Sequence, residues 1–187
     1  MINWIQKIDE WLLLTLQEGH NYWLDGIFWY VSKAWIFLPL WLWAIFQVFK
    51  NYSTRNFWKI VLMIILTIGL SDQMSNLFKY QFKRLRPTHD VRYSEKIHLV
   101  NNYKGGTYGF YSAHASNSAA VCVLSVMLIR RNKYKYLLIV YPLLTGISRM
   151  YLGVHFLSDV LVGWIMGGMI AFGVYLIFEK YLGLISK

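Results

Sequence analysis

Residues 157–178 carry one charged side chain, Asp159, in twenty-two positions, and a run of that kind leaves few architectures open. A helix crosses ~30 Å of hydrocarbon with about 20 apolar residues, and in lipid the backbone must satisfy its own polar groups. Residues 157–178 therefore read as a spanning helix. Residues 57–78 form a second run and residues 27–49 a third, with Lys33 near one end placed to snorkel. Residues 113–129 and 136–151 are shorter and lie near the lower length limit for crossing. Residues 1–20 set Trp4, Ile5, Ile8, Trp11, Leu12 and Leu16 at three- and four-residue steps among charges, the pattern of an amphipathic helix in the interface or of a weak first span. The expectation is an all-α polytopic transmembrane helix bundle of five or six spans. It forms one domain over residues 1–187, with residues 79–111 as its long polar connection.

Composition supports a membrane setting. Nine Trp and fourteen Tyr suit a protein with two water interfaces, and a net charge of +10 placed between apolar runs points to anionic headgroups or substrate phosphates. Membrane lipids are the expected partners; neither nucleic acid nor an obligate protein partner is. Cys122 stands alone, so no intrachain disulfide forms. Asp9 and Glu10 interrupt the N-terminus too early for a secretory signal, and the Asn51-Tyr52-Ser53 acceptor motif is too short to weigh. With five spans, residues 50–56 and the basic turn Arg130, Arg131, Lys133 and Lys135 share one side, read as cytoplasmic. The long connection and the 152–156 turn share the outer face.

Three clusters carry chemistry. Lys79 and Arg86 stand seven apart, on one face if the helix continues, with Asp72, Asn76 and Lys83 near the same stripe and Pro87 ending it. They read as a phosphate clamp or as a juxtamembrane basic patch. Asp72 lies inside an apolar run and reads as a structural partner of Lys79 or another base. In the second cluster, Ser112 and His114 stand where the long connection enters a helix, whose free N–H groups suit an anion. They read as a phosphate site with a general acid, or as a cap beside a polar histidine. The third cluster holds Arg149, Gly153, His155 and Asp159. His155 and Asp159 are four apart, hence on one helical face, so that a carboxylate holds one imidazole nitrogen and frees the other to attack. A helix-end salt bridge is the plain alternative. Together the clusters bring positive charge, a nucleophile and an acid to one membrane face, the arrangement that in-line phosphoryl transfer needs.

In order and spacing these clusters resemble the type 2 phosphatidic acid phosphatase superfamily, whose signatures are K-x6-R-P, P-S-G-H and S-R-x5-H-x3-D. Lys79 to Pro87 and Ser148 to Asp159 match the first and third in full. The second appears as Tyr111-Ser112-Ala113-His114, with Tyr and Ala where the family has Pro and Gly. The resemblance spans residues 57–178. It implies that His155 attacks phosphorus and forms a phosphohistidine, that Asp159 orients it and that His114 protonates the leaving oxygen. Lys79, Arg86, Ser112 and Arg149 would hold the phosphate oxygens, with no metal and no cofactor.

Implied substrates are lipid A, undecaprenyl diphosphate, phosphatidylglycerophosphate and phosphatidate, acted on at the outer face of a bacterial inner membrane. The first two are favoured, because Lys83, Arg84, Arg92, Lys96 and Lys104 add charge suited to a second phosphate. A phosphatidylglycerophosphate or phosphatidate phosphatase is the nearer alternative. A non-catalytic anionic-lipid binding or transport protein and a vanadate-holding haloperoxidase are the remoter ones. His20, His89 and His98 match no motif and read as polar surface. Gly105-Gly106 reads as a flexing point, and Gly163, Gly167 and Gly168 as close helix contact.

Overall fold

The computed structural model describes residues 2–183, and among these the chain forms seven α-helices and no strand. In chain order they are α1 (Ile2–Glu18), α2 (Tyr22–Val31), α3 (Leu38–Asn51), α4 (Thr54–Phe82), α5 (Ala113–Leu128), α6 (Val140–Tyr151) and α7 (Leu157–Leu182). Among the described residues, two unbroken helices are long and apolar enough to cross a membrane, Asn56–Phe82 and Leu157–Tyr181.

The expected span over residues 27–49 is broken: α2 and the following helical stretch Ala34–Asn51 meet at a bend of 75°. Pro39 gives the physical reason. It cannot donate to the carbonyl four residues back, so it sits in the first turn of α3 and the chain before it turns as a short 3-10 segment, Ala34–Phe37. Pro142 acts in the same way. The expected span over residues 136–151 becomes a 3-10 stretch, Lys133–Ile139, followed by a twelve-residue α6. Helix α5, with 16 residues, is about 24 Å long and shorter than a simple crossing requires.

The two long helices are apolar outside. On α4, Ile65 is 61% exposed, and on α7 Ile165 and Met169 are 61% and 64% exposed, while Thr67, Ser71 and Ser75 point inward and are buried. An aqueous surface does not favour that arrangement and lipid does, so the chain is an integral membrane protein. Helix α5 lies against α4, α6 and α7 through the buried small side chains Ala115, Ser116, Ala119 and Ala120. A side chain at Gly163 or Gly167 would strike the α5 backbone at Ser112 or Ser116, so these two glycines set the α5–α7 approach; Gly168 has ordinary room.

The connection between α4 and α5 is ordered by short 3-10 turns, an isolated pairing of Leu85 with Tyr108, and a hydrogen bond from the Thr88 hydroxyl to the Lys104 carbonyl at 2.7 Å. Helix α1 is docked rather than merely laid on the surface. Its Leu13 packs with Tyr93, Ile97 and Phe156, and Asp9 is buried.

Candidate active site

Each sequence cluster ends at a helix boundary on one end of the bundle. Helix α4 stops at Phe82, with Lys83 in the left-handed conformation, so Arg86 does not share a helical face with Lys79 as its spacing suggested. The chain instead folds back and pairs with the 107–109 strip: Arg86 N–H donates to the Thr107 carbonyl at 3.1 Å and its Nε to the Tyr108 carbonyl at 3.1 Å. Gly105 is not a flexing point. It has φ +67°, and a Cβ there would collide with the Arg86 guanidinium, so the loop needs glycine to close over that side chain. Asp72 reaches Lys79 through Asn76, which donates to Asp72 Oδ2 at 3.2 Å and accepts from Lys79 Nζ at 3.5 Å.

Ser112 caps α5, its hydroxyl oxygen accepting from the Ala115 N–H at 3.4 Å. The Ser112 N–H donates to the Asp159 carbonyl at 3.0 Å, so that amide is engaged and is no phosphate donor. The N–H groups with no intrahelical partner are those of the first turn, including Ala113 and His114. His114 faces a pocket of about 250 Å³ with Asp72, Asn117 and Thr145.

Helix α6 carries Arg149 in its last turn, 2% exposed, and Gly153 turns the chain with φ +65°. His155 precedes α7 and is 1% exposed, while Asp159 sits three residues past the α7 cap and reaches back to accept from the Phe156 N–H at 3.0 Å. The two therefore meet across a capped helix start and not along a helical face. His155 Nδ1 lies 3.6 Å from Asp159 Oδ2, too far for a hydrogen bond. Arg149 Nε and His155 Nδ1 are buried with no hydrogen-bond partner among the described residues. Such groups are costly unless something completes them.

Electrostatics bind the clusters together. Burial holds the His155 pKa well below the ordinary histidine value, and the charges of Arg86, Arg149 and Lys79 press the same way. The ring is therefore neutral, with a free lone pair. Burial and the charge of Arg149 also lower the pKa of Arg86. Three cations thus crowd one small volume, a state that an entering dianion relieves.

The family model described as the PAP2 superfamily matches residues 56–182. The chain belongs to the PAP2 superfamily. It is 29% identical over 187 residues to a lipid A 4'-phosphatase of Porphyromonas gingivalis, covering 97% of this chain and 79% of that one. It is 30% identical over 182 residues to a lipid A 4'-phosphatase of Bacteroides thetaiotaomicron, covering 96% and 81%. The crystal structure of a transmembrane PAP2-type phosphatidylglycerolphosphate phosphatase from Bacillus subtilis superimposes with a TM-score of 0.72 at 26% identity, covering 96% of this chain and 88% of that one.

Within this PAP2 chain the structure adds residues that the motifs do not contain. Arg84, expected as surplus loop charge, donates to Asp159 Oδ1 at 2.6 Å, to the Ser158 hydroxyl at 2.7 Å and to Asp9 Oδ2 at 2.7 Å. Arg92 is likewise engaged, held by Asp90 at 2.6 Å. Tyr103 accepts from Arg149 Nη2 at 2.9 Å. One signal pointed to Asp9: a carboxylate in an apolar-rich helix needs a partner. Nothing in the sequence marked Tyr103.

Proposed function

We propose that this protein is a lipid phosphatase that works through a phosphohistidine, with a lipid A phosphate or undecaprenyl diphosphate as its favoured substrate. One observation carries the reading: Lys79, Arg86 and Arg149 surround a buried, neutral histidine next to a second histidine, with the nearest carboxylate already held by Arg84. The cations hold the three phosphate oxygens, and the α5 N-terminus adds its dipole. Asp159 closes on His155 Nδ1 once substrate is bound and leaves Nε2 to attack.

The Nε2 lone pair forms an N–P bond as the P–O bond to the lipid breaks; His114, which takes up a proton once the charge of the bound phosphate offsets the neighbouring cations, passes that proton to the departing oxygen. Water then attacks phosphorus, gives its proton back to His114, and the N–P bond breaks to release phosphate. The positive side chains supply the charge that a metal would, so no metal is needed at this centre. The active site faces the periplasm or cell exterior, where lipid phosphates of the outer leaflet reach it.

The test is His155→Ala in purified full-length protein. Phosphate release falls to background, and acid-labile, base-stable phosphate that accumulates on the wild-type chain during turnover is absent from the variant. Turnover persists in strong chelator, both in wild type and in His98→Ala. Near-normal turnover in His155→Ala overturns the mechanism. Chelator inactivation that magnesium reverses in His98→Ala overturns the metal-free centre.

A further inference from the structure

Away from the catalytic cluster, and sharing no residue with it, three side chains that matched no motif converge. They are His20, between α1 and α2; Asp25, in the first turn of α2; and His98, in the long connection. His20 Nδ1 lies 2.7 Å from Asp25 Oδ1, and His98 Nε2 lies 2.9 Å from Asp25 Oδ2. The ligating atoms of all three fall within 4.8 Å of one another. His20 and His98 are therefore not the scattered polar surface that the sequence suggests.

The tautomer of His20 is informative. Its Nε2 lies 3.0 Å from the Tyr151 carbonyl, which can only accept, so the ring N–H sits there. In the neutral ring Nδ1 then carries a lone pair, and it faces a carboxylate oxygen that is also an acceptor. Two acceptors 2.7 Å apart need a cation between them. Metal-ligating histidines typically hold the other ring N–H on a backbone carbonyl, and ligating carboxylates are themselves hydrogen-bonded. Both features are present, since the Tyr151 hydroxyl donates to Asp25 Oδ1 at 2.8 Å. The His20 side chain is 6% exposed and fixed, while His98 is 51% exposed and able to adjust. In a tetrahedral site with bonds of about 2.0–2.1 Å, ligand atoms stand roughly 3.4 Å apart, so the two contacts with Asp25 need to open by roughly 0.5–0.7 Å.

We propose that His20, Asp25 and His98 form a binding site for a zinc-class divalent ion that ties the long catalytic connection to the N-terminal helices. Two imidazoles and one carboxylate suit such an ion better than magnesium or calcium, which prefer oxygen alone. Solvent fills the remaining position. The ion fixes residue 98 of a segment that also carries Tyr103, the partner of Arg149. It thus acts on the shape of the loop without touching the phosphate.

The test uses full-length protein in detergent, stripped with chelator and titrated with zinc against a competing chelator, with cobalt as a spectroscopic probe. One ion binds per chain, and X-ray absorption shows imidazole in its first shell. His98→Ala weakens binding by about tenfold or more, and Asp25→Asn does likewise. Zinc raises the melting temperature of wild type but not of His98→Ala. Because His98 is half exposed, that variant folds even if Asp25→Asn does not. Absence of saturable binding shows that a proton alone joins His20 to Asp25 and overturns the proposal. So does a bound ion that survives His98→Ala unchanged, since it would lie elsewhere.

Discussion

Arg84 grips Asp159 Oδ1 at 2.6 Å while its other terminal nitrogen holds Asp9 of α1 at 2.7 Å. One guanidinium thus connects the N-terminal helix to the carboxylate beside His155. Asp159 is fully buried, and its two oxygens are divided between Arg84 and the Phe156 N–H. Ser158 completes the group, its N–H donating to Asp9 Oδ1 at 2.8 Å.

Arg84→Ala is therefore expected to act on catalysis through Asp159. A misplaced carboxylate lets the His155 ring turn, and displacement of this kind costs roughly a hundredfold in kcat. Arg84→Lys recovers only part of the loss, because a point charge does not span two carboxylates. Asp9→Asn shows a smaller effect in the same direction. Phosphate-release kinetics on the three variants, with KM nearly unchanged, check the claim. A change confined to KM would place Arg84 on the substrate instead.

What the sequence made legible follows from what fixes each feature. Apolar length identified the 57–78 and 157–178 helices, because lipid demands it. Motif spacing singled out Lys79, Arg86, His114, Arg149 and His155, which lie within electrostatic reach of one another because each cluster sits where a helix begins or ends. Pro39 and Pro142 did carry a signal for the broken helices, and hydropathy alone passed over it. Pairings such as Arg84 with Asp9, or His20 with His98, join segments distant along the chain. No local pattern encodes them. His155 and Asp159 come near each other, but only to 3.6 Å and by a different route: the i, i+4 step suggested one helical face, whereas Asp159 turns back to cap the start of α7 beside His155.

The depressed pKa of His155 has a consequence for stability. In the unfolded chain a histidine takes up a proton near pH 6.5, and in the folded protein burial and the cations Arg86, Arg149 and Lys79 prevent it. Below that pH the unfolded state binds more protons, so stability falls as the pH drops. The effect begins near 6.5 and precedes the carboxylates: Asp90, whose pKa the Arg92 hydrogen bond lowers, contributes only in more acidic solution. His155→Asn should flatten the slope of melting temperature between about pH 7 and 5. An unchanged slope would show that another group causes the acid loss.

Sidedness is tested with single cysteines after Cys122→Ala. Lys104, on the long connection, and Lys133, in the basic turn before α6, both have exposed side chains. With the catalytic end outside, a cysteine at 104 labels with an impermeant reagent in intact cells. One at 133 labels only after lysis. The reverse pattern would put the site in the cytoplasm and change the pool of lipids it meets.

On the proposed reading, substrate choice is expected to follow the loop charges that stay exposed. Arg84 and Arg92 are paired with Asp159, Asp9 and Asp90, so they do not serve a second phosphate. Lys83, Lys96 and Lys104 remain exposed on the same connection. A headgroup with two phosphates places one among Lys79, Arg86 and Arg149 and leaves the other within the field of these lysines, which steer and hold it. Phosphatidate, with a single phosphate, gains less. Lipid A and undecaprenyl diphosphate are therefore expected to show higher kcat/KM than phosphatidylglycerophosphate or phosphatidate in matched micelles. The advantage should shrink as salt rises, because exposed charges are screened over about 10 Å at 0.1 M. Neutralising Lys83, Lys96 and Lys104 together to glutamine should remove most of that preference while changing phosphatidate turnover little. If phosphatidate leads from the outset, or the triple variant keeps the preference, the loop charges serve the anionic membrane surface and the lipid substrate is chosen at the clamp itself.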